Sequence, residues 1–140
     1  MKSFPDYRCG VCGFQISEVI AHLPSGVLAH YSDREFPGRC VLAVHDHAER
    51  LEDLPPEPLE QLWRDATRAG LAIRTVTGAR RINYAVLGTA VPHIHVHLIP
   101  RGAPSDRHGT DTPWGPPPVS LPVSSEDAAR LRRDIALALE

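Results

Sequence analysis

Apolar residues recur along this chain with two different periods, and the change of period marks out its elements. From Pro58 to about Val76 they fall at Leu59, Leu62, Trp63, Ala66, Ala69 and Ile73, the spacing of one helical face, and Pro55, Pro56 and Pro58 suit its start. A second helical face, Ala128, Leu131, Ile135 and Leu139, follows Ser124 and Ser125, either of which can cap a terminal helix over about 125–139. Short apolar runs read as strands: Val27-Leu28-Ala29-His30-Tyr31, Cys40-Val41-Leu42-Ala43-Val44 after the Pro37-Gly38 turn signal, the stretch from Arg81 to Leu87, and the stretch from Ile94 to Ile99. Gly88 and Pro92 punctuate the last two, which can lie side by side in one sheet. Pro113-Trp114-Gly115-Pro116-Pro117-Pro118 is too rich in proline for helix or inner strand and predicts an extended arm over about 103–122. The pattern is that of one α+β domain over 1–140, without internal repeats.

Charge narrows the partners. A formal net charge of −2 gives no broad basic surface for a nucleic-acid polymer, so any nucleotide bound is a small molecule. The first residues lack the apolar core of a secretory signal and no stretch is long enough to span a bilayer, which predicts a cytoplasmic protein with no membrane partner. The three cysteines, Cys9, Cys12 and Cys40, are an odd number, so a disulfide scaffold is not expected. Metal binding or redox chemistry is the question raised by Cys9-Gly10-Val11-Cys12.

The segment His93-Ile94-His95-Val96-His97 carries the chemistry. Side chains alternate along a strand, so the three histidines share one face while Ile94, Val96 and Leu98 point into the core. A lone histidine such as His22 is usually a satisfied or surface residue. Three in alternation would need partners for six ring nitrogens, which a structural purpose rarely justifies. Imidazole offers two functions here. All three rings can hold a catalytic zinc with an open position for water, or one can attack phosphorus while its neighbours stabilise the phosphoryl oxygens. Spacing alone leaves both open.

The stretch from Ile82 to Arg101, with its three histidines separated by single apolar residues and followed by Pro100-Arg101, closely resembles the signature of the histidine triad superfamily. Upstream, the stretch from Phe36 to His47 resembles that family's Pro-Gly, apolar strand and histidine, and the resemblance runs from about Val27 to Arg101. It implies an antiparallel sheet of about five strands with two packed helices, and a homodimer. It also implies hydrolysis or nucleotidyl transfer at the α-phosphate of dinucleoside polyphosphates or nucleoside phosphoramidates. His95, the middle histidine, takes the nucleophile's place, forming a nucleotidyl-histidine that water hydrolyses. His97 would contact the phosphate or leaving group, and Asn83 matches a family asparagine near the phosphate and ribose. Thr89 stands where the family usually has an amide side chain, keeping a hydroxyl but changing a leaving-group contact. The family aspartate that grips the ribose falls at Tyr31, with Asp33 two residues on, so that contact is not placed. Arg101 and Trp114 are further candidates for the leaving group or base, set against a solvated arginine and a packed tryptophan.

Members of the superfamily complete a Cys-x-x-Cys site with an upstream histidine and the first triad histidine. The resemblance thus implies a structural zinc held by Cys9, Cys12, His47 and His93, a closed set of two sulfur and two nitrogen ligands. A strand through Val44 points His45 and His47 the same way, so geometry leaves His45 as the alternative to His47. Two other readings stand beside the enzyme: a nucleotide-binding module with little turnover, and a zinc hydrolase ligated by all three histidines.

Overall fold

The structure is a computed structural model that describes residues 3–114 and 121–140. A small hairpin of β1 (Tyr7–Arg8) and β2 (Gln15–Ile16) precedes β3 (Val19–His22), β4 (Gly26–His30) and β5 (Cys40–Val44). Helix α1 (Pro56–Thr77), β6 (Arg81–Ala85), β7 (His95–Arg101) and α2 (Ser125–Ala138) complete the chain. Strands β3 to β7 form one antiparallel sheet in the order β3-β4-β5-β7-β6. The fold is therefore α+β, with a five-stranded antiparallel sheet and two helices.

Both helices lie on one face of this sheet. Leu62, Ala66, Ala69 and Ile73 of α1 and Ile135 of α2 are buried with Leu28, Leu42, Val96 and Leu98 of the strands. The alternation in β7 is what turns Val96 and Leu98 toward the helices and leaves His95 and His97 on the opposite side. Pro55 and Pro56 open α1, where a missing N–H costs nothing. Gly70 stands inside the continuous helix because a Cβ there would lie 2.2 Å from the Tyr84 hydroxyl oxygen. The Ser124 side chain accepts from the Asp127 N–H and caps α2. No helix among the described residues is long and apolar enough to cross a membrane.

The strands depart from the sequence expectation in number and bounds. The hairpin β1–β2 and the strand β3 are additions, and β7 begins at His95 rather than Ile94. His93 lies in the bend before β7, where its N–H bonds to the Val91 carbonyl at 2.9 Å. The described part of the proline-rich arm, 103–114, is a series of turns; its residues 115–120 lie outside the described residues.

Candidate active site and metal centre

Residues paired across antiparallel strands share a face. Pairing of Val41 with His97, Ala43 with His95, Asn83 with Ile99 and Arg81 with Arg101 places all of these side chains on the face away from the helices. The hairpin and the segment 103–114 approach this face. Phe14 stacks on His93 and on His95, with ring centroids 4.9 and 5.3 Å apart.

At one end of the face, Cys9, Cys12, His47 and His93 bring one donor atom each to within 4.8 Å of one another. Cys9 Sγ is 3.7 Å from His47 Nδ1, and Cys12 Sγ is 3.5 Å from His93 Nδ1. A tetrahedral zinc with ordinary Zn–S and Zn–N bonds has sulfur–nitrogen edges of about 3.6 Å, so the donor set fits that ion. His93 is fully buried, and its Nε2–H donates to the Val44 carbonyl at 2.8 Å, which leaves Nδ1 unprotonated toward the thiols. The Cys12 backbone N–H, working against burial and helped by the Val11 N–H, pulls the Cys9 thiol down to about 6. That favours the thiolate a metal needs. Tyr7 ties the hairpin to the sheet through its hydroxyl, which donates to the His45 carbonyl at 2.5 Å. The alternative ligand, His45, faces elsewhere: its Nε2–H donates to the Leu23 carbonyl at 3.1 Å and its ring stacks on His22.

Two residues on, the hydrogen bonding reverses. His95 Nδ1 lies 2.8 Å from the His93 carbonyl oxygen. A carbonyl only accepts, so Nδ1 carries the proton and Nε2 keeps its lone pair. His97 Nδ1 lies 2.9 Å from Arg39 Nη2. A guanidinium only donates, so Nδ1 is the acceptor and the ring proton of neutral His97 sits on Nε2. The ring centroids are 5.2 Å apart, so a ring with an unprotonated Nε2 and a ring with an Nε2–H stand side by side. Burial, then the Arg39 charge and His95, push the His97 imidazole down to about 4, so it is neutral at physiological pH.

Arg39 is the residue that sequence reasoning missed. The Phe36-Pro37-Gly38 turn delivers it: Gly38 has φ +96°, a conformation side chains disfavour, and the Arg39 N–H closes the turn on the Phe36 carbonyl at 3.0 Å. Its guanidinium is buried, donates to Asp33 at 2.8 Å, and lies 4.2 Å from the Tyr31 ring centre and 5.5 Å from that of Trp114. Asp33, beside the unplaced ribose contact, is buried against Arg39 and accepts the Glu35 N–H at 2.9 Å. Tyr31 and Trp114 remain partly exposed, each with its ring edge-on to His97. The usable signal was an arginine at the entrance to an apolar strand, on the same side as His97.

The remaining candidates sit further along the face. Asn83 Oδ1 accepts from Arg101 Nη1 at 2.9 Å. Arg101 is not a solvated arginine: it is buried and also donates to Asp106 and to the carbonyls of Gly109 and Asp111, pinning the following loop. Although burial raises it, the Asp106 carboxyl is held below its ordinary value by the Gly102 and His108 N–H groups and by Arg101. Asn83 and Arg101, with Arg80, Arg81 and Thr110, border a cavity of about 580 Å³. Thr89 is exposed in the loop between β6 and β7, away from any contact with the histidine rings that the structure shows; its hydroxyl donates to the Leu87 carbonyl at 3.4 Å.

The HIT domain model matches residues 15–103, and the chain belongs to that family. A histidine triad protein from Bradyrhizobium japonicum superposes with a TM-score of 0.76 at 23% identity, covering 88% of this chain and 92% of that one. A zinc-bound histidine triad family protein from Mycobacterium smegmatis has a TM-score of 0.62 at 22% identity, with 87% and 86% covered. At these identities the likeness establishes the fold. Among curated proteins, the bis(5'-nucleosyl)-tetraphosphatase [asymmetrical] of Schizosaccharomyces pombe is 33% identical over a stretch covering 46% of this chain. The match spans 38% of that enzyme's length.

Proposed function

We propose that the chain is a nucleotide hydrolase or nucleotidyl transferase acting at the α-phosphate of dinucleoside polyphosphates or nucleoside phosphoramidates. The observation that carries this reading is the opposite tautomers of His95 and His97. The His95 Nε2 lone pair forms an N–P bond as the bond from phosphorus to the leaving group breaks. The ring then carries a positive charge, which the Nδ1–H to His93 carbonyl bond stabilises. Water adds to phosphorus, the N–P pair returns to Nε2, and the water proton passes to solvent. The His97 Nε2–H stabilises a phosphoryl oxygen, and Asn83 and Thr89 are the proposed substrate contacts. The tetraphosphatase relative supports the substrate class.

The same reading takes Cys9, Cys12, His47 and His93 as ligands of a structural zinc that would hold the hairpin, and Phe14 with it, against His95. A single ion bound by His93, His95 and His97 has little support, because His93 gives Nδ1 to the thiol side and Nε2 to the Val44 carbonyl. A homodimer would use the edge strand β6, where Tyr84, Leu87 of the loop that follows and Leu71 of α1 expose apolar surface. A cytoplasmic location and a single domain over 1–140 complete the proposal. Turnover against adenylyl and guanylyl polyphosphates and phosphoramidates tests it; binding without turnover across that panel would leave a nucleotide-binding module instead.

A further inference from the structure

Proton transfer separates the two substrate classes. A polyphosphate leaves phosphorus as a stable anion, taking the P–O bonding pair and needing no proton. An amine cannot leave with the P–N pair unless its nitrogen is protonated on the way. His97 is the group beside His95 that carries an N–H, so its hydrogen bonds decide whether it gives that proton or only shares it.

We propose that the buried Asp33–Arg39 pair locks His97 as a hydrogen-bond donor that cannot act as a general acid, and so makes polyphosphates, not phosphoramidates, the substrates of this site. The inference rests on the reading of His95 as the nucleophile. Arg39 Nη1 is held by Asp33 at 2.8 Å, and Nη2 fills the His97 Nδ1 lone pair at 2.9 Å. Because that lone pair is occupied by a cation's N–H, His97 has no place for a second proton. Loss of the one on Nε2 would leave an imidazolate, since a guanidinium does not give up its own proton to replace it. What remains is a fixed N–H for the phosphoryl oxygens. With a polyphosphate the step is complete: N–P forms, P–O breaks, and the anion departs without a proton. With a phosphoramidate the amine nitrogen gets no proton from His97, and the P–N bond holds. Arg39 is thus a positioning residue that acts through His97, and its face is closed by Tyr31 and Trp114.

The experiment combines a tautomer measurement with a leaving-group series on the full chain. Nitrogen-15 NMR of the free protein should show His97 with Nδ1 unprotonated and Nε2 protonated at neutral pH. A mixed or Nδ1-protonated ring overturns the proposal whatever the activity, and needs no assumption about the reaction. Kinetics with diadenosine tetraphosphate and adenosine 5'-phosphoramidate should give kcat/KM at least about 100-fold higher for the former. Arg39→Met, which removes the donor, should free Nδ1 in the NMR spectrum and narrow that ratio about 10-fold, whereas Arg39→Lys, which keeps an N–H donor, should retain most of it. Equal turnover of both substrates by wild type, or an unchanged ratio in a folded Arg39→Met with freed Nδ1, sinks the inference. If neither substrate forms an adduct at His95 while the NMR result holds, the fault lies in the nucleophile reading instead. Should Arg39→Met not fold, the wild-type tautomer and substrate ratio still decide.

Discussion

His93 and His95 are two residues apart, both stack on Phe14, and yet present opposite nitrogens. His93 is fully buried, spends Nε2 on the Val44 carbonyl and turns Nδ1 to the thiols. His95 is half-buried, spends Nδ1 on the His93 carbonyl and keeps the Nε2 lone pair. On the proposed reading, the same residue type would serve as ligand or nucleophile according to which ring nitrogen a backbone oxygen occupies. The carbonyl of His93 itself fixes the tautomer of His95, so the thiol-facing residue orients the ring beside it.

If that division is right, the two ends fail differently. His95→Asn should lower turnover by at least about 10⁴-fold with nucleotide affinity retained, measured by steady-state kinetics and equilibrium binding. Cys9→Ala should abolish metal binding and lower Tm by about 10 °C or more, because a closed site contributes folding free energy. Elemental analysis of reduced wild type should give about one zinc per chain. Unchanged Tm with lost activity in Cys9→Ala would move the metal to the reactive end. His97→Ala removes a donor rather than the nucleophile, and should lower kcat by about 10²–10³-fold while leaving the covalent adduct detectable.

The smallest effect is one of pH. The folded His97 takes up a second ring proton only below about 4, against an ordinary 6.5, so between these values the unfolded chain binds more protons. Stability from this group is therefore complete above about 6.5 and falls as pH drops toward 4. Thermal melts should show a shallower pH slope across that window in His97→Gln than in wild type; parallel slopes would contradict the neutral assignment.

Much of this was legible in the sequence where periodicity spoke. The α1 stripe, the Ser124 cap and the Val96–Leu98 alternation each have a local cause, and the structure places them as expected. The elements β1, β2 and β3 were not legible, because two- and four-residue strands carry no period and gain their pairing only from the sheet. Cys9 and Cys12 were legible as a pair by spacing, but their approach to His93 depends on the hairpin fold. Arg39 and Asp33 were hidden for another reason. Charged residues six apart in a loop read as solvated, and only the closure of Tyr31 and Trp114 over them shows a buried pair aimed at His97.

Attack of His95 Nε2 on phosphorus is the step on which the proposed chemistry stands. Rapid acid quench of a single turnover with diadenosine tetraphosphate, read by intact-protein mass spectrometry and peptide mapping, tests it most directly. The account predicts a transient adenylyl adduct on His95 that forms and decays at rates consistent with turnover and is absent in His95→Asn. Wild-type turnover with no adduct at any quench time, together with an active His95→Asn, would contradict it.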